Sequence, residues 1–386
     1  MSVEVRKVEN RDEFKALFEF PWTLYKGDPY WVPPLLSMRR DLLDKQHNPA
    51  WAEYLEGDFF TARRDGRLVG TIAAYINHRH NQFHNQHIGW FGLFEVYDDQ
   101  EAAAALLETA AEWVRERGYD AIRGPQTFTT HEDVGVLVDG FARPVLLMPY
   151  NYPYYSRLIE GAGFQKAMDV YSFHLSRQGA LEHKTGDRLK RLTEAVMKRN
   201  KITVRKINPQ NLKAEFELFK ELYNAAWDKN WGFVPMTPRE LDVMVKSLGQ
   251  FFDPDKAFFA EVAGEPAGFV MAVPDFNQVL HRVYPRPGVP EVFSLLKALW
   301  HWKIRPVIDT ARIPLMGVKE AYREKGVAAV LYYYVLEALL ADPRIQHSDS
   351  GWILEVNENM VSIALSFGSD IYRTYRLYEK SLNSTE

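Results

Sequence analysis

The feature that most constrains this chain is that it repeats itself. Val3-Glu4-Val5-Arg6-Lys7-Val8 parallels Ile202-Thr203-Val204-Arg205-Lys206-Ile207. Both runs alternate apolar and polar residues, the period-2 pattern of a half-buried strand. Each precedes an amphipathic helical stretch, Arg11 to Phe20 and Leu212 to Trp227. Asp58-Phe59-Phe60-Thr61-Ala62 parallels Lys256-Ala257-Phe258-Phe259-Ala260-Glu261, and each leads through a glycine turn, Asp65-Gly66 or Ala263-Gly264, into another strand. Two such runs around a short glycine turn read as a hairpin. Ile88 to Tyr97, with the helix Ala102 to Arg117, parallels Ile313 to Val318 with its own helix. Near each end comes a helix, a glycine and a final strand: Tyr155 to Gly163 then Val170 to Leu175, and Met360 to Gly368 then Tyr375 to Glu379. The common order and spacing predict two copies of one α+β unit, 1–178 and 201–386, joined by a basic linker helix at 179–200.

The second copy holds the more telling chemistry. A short apolar strand, Ile313 to Val318, runs into a polar turn that opens a long apolar helix, Val327 to Leu340. The turn reads Arg323-Glu324-Lys325-Gly326-Val327-Ala328, an Arg-x-x-Gly-x-Ala pattern. Such a turn can aim several backbone N–H groups at one point. The helix N-terminus adds its partial positive charge, and together they suit a pyrophosphate. Gly326 has no Cβ, so the backbone there can approach a ligand closely.

This spacing resembles the acetyl-CoA loop of the GNAT N-acyltransferases, Gln/Arg-x-x-Gly-x-Gly/Ala after an apolar strand. Arg323, Gly326 and Ala328 match it, and Val318 stands where the strand residue belongs. Where the family often has glycine after the Arg, this chain has Glu324. The resemblance implies that Met316, Val318, Arg323, Glu324, Lys325, Gly326, Val327 and Ala328 hold acetyl-CoA or another acyl-CoA. It also implies tandem GNAT-like domains, each a mixed, mostly antiparallel twisted sheet flanked by helices. The whole chain resembles a group of two-domain bacterial GNAT-like proteins, whose ending is similar to Tyr375-Arg376-Leu377-Tyr378-Glu379-Lys380. In the first copy the equivalent turn is Tyr97-Asp98-Asp99-Gln100-Glu101, with no glycine and three carboxylates. Acids there satisfy the helix dipole by themselves and repel a diphosphate, so the first copy is expected to bind no CoA.

N-acyl transfer needs a neutral amine, and a lysine-like amine is only ~0.04% neutral at pH 7. A general base therefore matters more than an acid. The strand after the CoA helix reads Gly351-Trp352-Ile353-Leu354-Glu355-Val356-Asn357. Glu355 and Asn357 are two apart, which on a strand puts both on one face. Glu355 is the candidate base, and the alternative for it is a salt bridge at the strand edge. The resemblance implies an N–H near Val318 for the carbonyl oxygen. Many GNATs also place an acid tyrosine four residues before the glycine of the following helix. That position is Ala364 here, and Tyr372 and Tyr375 lie nearby in sequence.

The remaining features set bounds. A length of 386 residues with 46% apolar content expects two or three domains with sizeable cores. A net charge of −4 gives no reason to expect nucleic acid. Zero cysteines exclude disulfides and thiolate metal sites and fit a reducing compartment. The opening MSVEVRKVENRDEF is too polar for a signal peptide, and no apolar run approaches the ~20 residues of a membrane span, so a cytoplasmic protein is expected. Arg177 to Lys206 holds ten Lys or Arg against three acids, either a solvated linker face or a patch for an anionic surface. An insertion at about 278–310 carries Glu291 to Arg305, an aromatic, basic, amphipathic helix. It reads as a helix docked between the copies, a flap over a long acyl chain, or an interfacial anchor making peripheral membrane contact. His78 to His87 is histidine-rich, but its spacing fits no common metal site and no metal is expected. Thr129 and Glu132 have capping-box spacing. The expected function is acyl transfer from acyl-CoA to an unknown amine, with a small-molecule or lipid acceptor. A lipid-directed long-chain acyltransferase and a non-catalytic acyl-CoA sensor are the alternatives; a third that the resemblance implies, an aminoacyl-tRNA-dependent transferase, is disfavoured by the near-neutral charge and the intact CoA loop.

Overall fold

The computed structural model describes residues 2–182, 185–227, 230–249 and 252–383. The chain divides into two compact units. Unit 1 comprises Met1–Val170, Asn277–Pro306 and Arg373–Glu386, and unit 2 comprises Tyr171–Phe276 and Val307–Tyr372. These are drawn differently from the sequence copies 1–178 and 201–386: the insertion and the last strand of the second copy fall in unit 1. Of the expected linker helix, residues 183 and 184 lie outside the described residues, and a helix covers Thr185–Asn200.

Among the described residues thirteen strands form in chain order. The first seven are β1 (Glu4–Lys7), β2 (Leu55–Arg64), β3 (Arg67–Asn77), β4 (Ile88–Val96), β5 (Ala121–Gly124), β6 (Val136–Asp139) and β7 (Gln165–Ser176). The rest are β8 (Ile202–Lys206), β9 (Ala257–Val262), β10 (Glu265–Pro274), β11 (Thr310–Val318), β12 (His347–Leu354) and β13 (Asp370–Ser381). In unit 1 the order is β1-β2-β3-β4-β5-β13, with β6 also on β13. There β4 and β5 are parallel, and the other pairs of this run are antiparallel. Glu379 of β13 faces Arg123 of β5 in register, and the two side chains form an ion pair at 2.7 Å. In unit 2 the order is β12-β11-β10-β9-β8, with β11 and β12 parallel and the other pairs of that run antiparallel. Residues of β7 from Tyr171 onward lie along β12, with Arg177 N donating to Gln346 O at 2.7 Å.

The repeat is visible in the turns. Asp65 and Gly66 join β2 to β3 with φ of 51° and 77°, and Ala263 and Gly264 join β9 to β10 with φ of 53° and 89°. Two successive left-handed residues make the turn whose twist matches paired strands. Each unit then buries one apolar helix against its sheet. Gln100–Arg115 buries Leu106, Leu107, Ala110 and Val114 in unit 1. Val327–Ala341 buries Val330, Leu331, Val335 and Leu339 in unit 2. Each large aliphatic side chain so placed contributes about 1.5–3 kcal/mol. That burial anchors the helix start, where the candidate site lies.

Candidate active site

In unit 2, β11 pairs with β10 along its length, ending at Val318 opposite Gly268. Its parallel ladder with β12 runs only from Thr310–His347 to Ile313–Ser350. The next residue is Pro314, which has no N–H to continue a ladder. The register with β10 slips at the same place, between Met271 and Val273. Beyond it, Leu315 to Val318 carry one edge that the β12 ladder does not cover. Met316 on this edge is half-buried and packs on the unit's core.

Val318 leads into a tight turn. Lys319 N donates to Ala267 O at 2.9 Å, and Glu320–Lys325 form a 3-10 helix. The Arg323 guanidinium donates to Ala226 O at 2.8 Å and to Val318 O at 3.4 Å, so this side chain clamps the turn to the sheet. Gly326 follows with φ 78°, and a Cβ there would meet Val196 Cγ1 at 2.9 Å. Asn200 Nδ2 donates to Lys325 O at 2.9 Å. Val327 is buried, Ala328 is half-buried, and Glu324 and Lys325 are exposed. Among the described residues no side chain caps the helix Val327–Ala341, and its first turn holds no acid. The first N–H groups of a helix have no partner within it, so this turn keeps an anion-seeking end. The donor set fits a diphosphate.

Unit 1 shows the same strand parting with a different content. β4 pairs with β5 only over Ile88–Trp90, while its pairing with β3 extends to Val96 opposite Gly70. The gap is filled by the protein. Gln126 N donates to Phe91 O at 2.9 Å. Val96 N donates to the Tyr155 hydroxyl at 3.2 Å, and the Tyr154 hydroxyl donates to Val96 O at 2.8 Å. The helix Gln100–Arg115 is capped by Asp99, whose side chain accepts from Ala102 N at 3.1 Å. Arg64 holds both Asp99 and Glu101 at 2.9 Å. The helix end is satisfied by the chain's own carboxylates.

Sequence reasoning missed Glu95. This half-buried carboxylate sits near the end of β4 and accepts from the Tyr25 hydroxyl at 2.7 Å and the Tyr155 hydroxyl at 2.8 Å. Burial pushes its pKa up to about 7, and the two phenols and the Arg39 guanidinium only partly offset this. Burial also raises both phenols well above their ordinary range. Around them stand Trp31, stacked on Tyr25 at 5.2 Å, and Tyr150, whose hydroxyl donates to Asp28 at 3.0 Å. A carboxyl that titrates near neutrality can take up a proton and return it, the property a general acid or base needs. The one available signal was a lone acid in the apolar run Ile88 to Val96.

Other expected residues are placed as follows. β12 ends at Leu354, so Glu355 lies in a turn and shares no strand face with Asn357, contrary to the alternation argument. Asn357 instead caps the helix Glu358–Ser366, its side chain accepting from Met360 N at 3.3 Å. Glu355 is half-buried. Ala364 is fully buried, Tyr372 donates to Asp349 Oδ2 at 2.8 Å, and Tyr375 is buried in β13. Asp349 also lies 3.6 Å from Arg312, a buried ion pair inside unit 2. His78–His84 form a short helix, and the described residues contain no group of three or more metal-ligating side chains. Thr129 starts no helix; its hydroxyl accepts from His131 N at 3.2 Å in a turn. A small apolar pocket lies along the later turns of the helix Val327–Ala341, lined by Leu175, Leu189, Leu336, Leu339 and Phe367.

Known proteins share this architecture. The sequence profile of the Acetyltransferase (GNAT) family matches residues 18–130, the part of the first copy that contains Tyr25 and Glu95. A tandem GNAT protein from the clavulanic acid biosynthesis pathway superposes over 100% of both chains with a TM-score of 0.51 at 13% identity. A GCN5-related glucosamine N-acetyltransferase region of a fungal β-N-acetylglucosaminidase superposes with a TM-score of 0.56 at 16% identity, over 98% of this chain and 38% of that one. The chain belongs to the GNAT acyltransferase superfamily, in its tandem form. Within it, the chain is 32% identical to Protein YghO of Escherichia coli over 98% of its own length and 95% of the relative's. It is also 32% identical to the bacterial ceramide synthase of Caulobacter vibrioides, over 98% of both chains.

Proposed function

We propose that the protein is a CoA-dependent N-acyltransferase that joins an acyl group to a lipid-like amine. The observation that carries this reading is the acid-free, uncapped helix start at Val327, directly after a strand edge that β12 leaves open. Acyl-CoA, when bound, supplies the activated thioester. The backbone N–H groups around Gly326 to Ala328 hold the diphosphate, with the helix dipole behind them. Glu324 is exposed, and solvent screens its charge. The open edge from Leu315 to Val318 offers backbone groups to an extended ligand arm, as strand edges do. Glu355, in the turn after β12, takes the amine proton. In the first copy, the filled strand gap and the Asp99 cap favour a scaffolding role without CoA.

The choice of a lipid-like acceptor follows from the relative named a ceramide synthase. Ceramide is an amide of a fatty acid and a long-chain amino alcohol. The apolar pocket along the CoA helix suits an aliphatic chain. A second reading places the proton transfer on Glu95, favoured by its pKa of about 7 and its two phenol donors.

The test is an acyl-transfer assay with palmitoyl-CoA and either a long-chain amino alcohol or a water-soluble diamine. Released CoA is read with a thiol reagent, against no background from a chain with zero cysteines. Amide product with the long-chain amine alone is expected. Failure to release CoA with any amine would reject the transferase reading. Loss of rate in Glu95→Gln but not in Glu355→Gln would move the proton transfer to the first copy.

A further inference from the structure

The insertion helix Glu291–Leu299 faces the wrong way for a core helix. Its buried residues are Ser294 and Ala298, four apart and therefore on one face. Its large side chains point outward: Val292, Phe293, Leu295, Leu296 and Leu299 are all half or more exposed, Leu296 at 60%. At ~100° per residue these five span an arc of roughly 160° centred opposite the Ser294–Ala298 stripe. The surface continues into the π-helical turn Trp300–Ile304, where Trp300 is 50% and Ile304 64% exposed. Monomeric soluble proteins seldom present contiguous apolar surface of this kind without a use for it.

The rim of this surface is basic. Lys297, Lys303 and Arg305 are exposed, and so is Arg286 just before the helix. Lys303 Nζ lies 3.9 Å from the Trp302 ring centroid. The one acid of the segment, Glu291, faces back into unit 1, where it accepts from Ser37 N at 3.2 Å and Ser37 Oγ at 2.9 Å. The outward face thus combines aliphatic and indole groups with cations and no acid. An interfacial helix has this composition: the apolar face enters the acyl boundary while Lys and Arg reach the headgroups.

We propose that Glu291–Ile304 is an in-plane membrane anchor that seats unit 1 on an anionic lipid surface. A second copy of the chain is the poorer occupant. A two-fold contact through this face would bring the same cations of both copies together, whereas anionic headgroups neutralise them. The binding readout needs no substrate, so the inference stands apart from the acyl-transfer reading.

The experiment is co-sedimentation of the full chain with vesicles of phosphatidylcholine alone or of phosphatidylcholine with phosphatidylglycerol. The wild-type chain is expected to bind the anionic vesicles and to lose binding as salt is added. Leu296→Asp should weaken binding more than about tenfold, the scale of one buried leucine. Its melting temperature should not fall, because Leu296 packs on little. Lys297→Gln and Lys303→Gln should each remove about fivefold from the anionic preference, the scale of one lost cation. No binding of the wild type to anionic vesicles, or undiminished binding by Leu296→Asp, would overturn the proposal. So would a stable dimer in light scattering that Leu296→Asp splits, since the face would then belong to a second copy.

Discussion

Replacing Glu95 by Gln tests the physical reading of unit 1 most directly. In the folded chain the Glu95 carboxyl is pushed up to about 7 from an ordinary value of 4.5, because burial outweighs its hydrogen bonds and Arg39. An acid with a raised pKa holds a proton in the folded state that the unfolded chain has released. The folded chain therefore binds more protons between those two values, and stability falls as pH rises through that window. The contribution is full below the unfolded pKa and is lost by about pH 7. At 1.36 kcal/mol per pKa unit the loss amounts to about 3 kcal/mol. Gln keeps an oxygen for Tyr25 and Tyr155 but never becomes charged, so it escapes this loss. Thermal melts of both chains, buffer by buffer between about pH 4.5 and 8.5, report the difference, and the other titrating groups cancel in it. The variant should gain on the wild type as pH rises, by roughly 6–12 °C in the unit 1 transition at about 2–4 °C per kcal/mol. A gap that stays constant with pH, or that closes as pH rises, would show that the surroundings do not hold this carboxyl neutral. The same pair of proteins tests catalysis: if Glu95 moves the proton, a limb of the pH–rate profile near 7 should vanish in the variant.

Three further outcomes are expected. Gly326→Asp should abolish acetyl-CoA binding in calorimetry, since it puts a Cβ 2.9 Å from Val196, strains a backbone at φ 78°, and adds an anion at the phosphate site; undiminished binding would move the cofactor elsewhere. Titration with CoA should saturate at one per chain, because Asp99 and Arg64 already satisfy the matching helix end of unit 1; a stoichiometry of two would contradict that reading. Glu355→Gln should slow transfer by about 10²–10⁴-fold with CoA affinity nearly constant, and a change under about threefold would leave Glu355 a structural residue of its turn.

What could be read locally was read from the chain alone. The two Gly-containing hairpin turns, the strand-turn-helix around Gly326 and the parallel order of elements are short-range features, set by backbone sterics and by apolar period. They sufficed for the α+β class and the tandem GNAT architecture that the structure and the relatives show. Where β12 stops was not legible. Alternation continues through Glu355 and Asn357, but the ladder to β11 ends at Ile313–Ser350 and the chain turns after Leu354.

Tertiary structure alone decided three things, each because its partners lie far apart in the chain. Glu95 is one acid in an apolar strand until Tyr25 and Tyr155, 70 and 60 residues away, close on it. The last strand looks like the end of the second copy, yet Tyr378 to Ser381 pair with Ala121 to Gly124 in unit 1. A strand's sequence records which face is buried and not which neighbour supplies its hydrogen bonds. The insertion helix shows the same limit. Its composition announces two faces, but only packing of the small residues Ser294 and Ala298 against unit 1 turns the large apolar face outward.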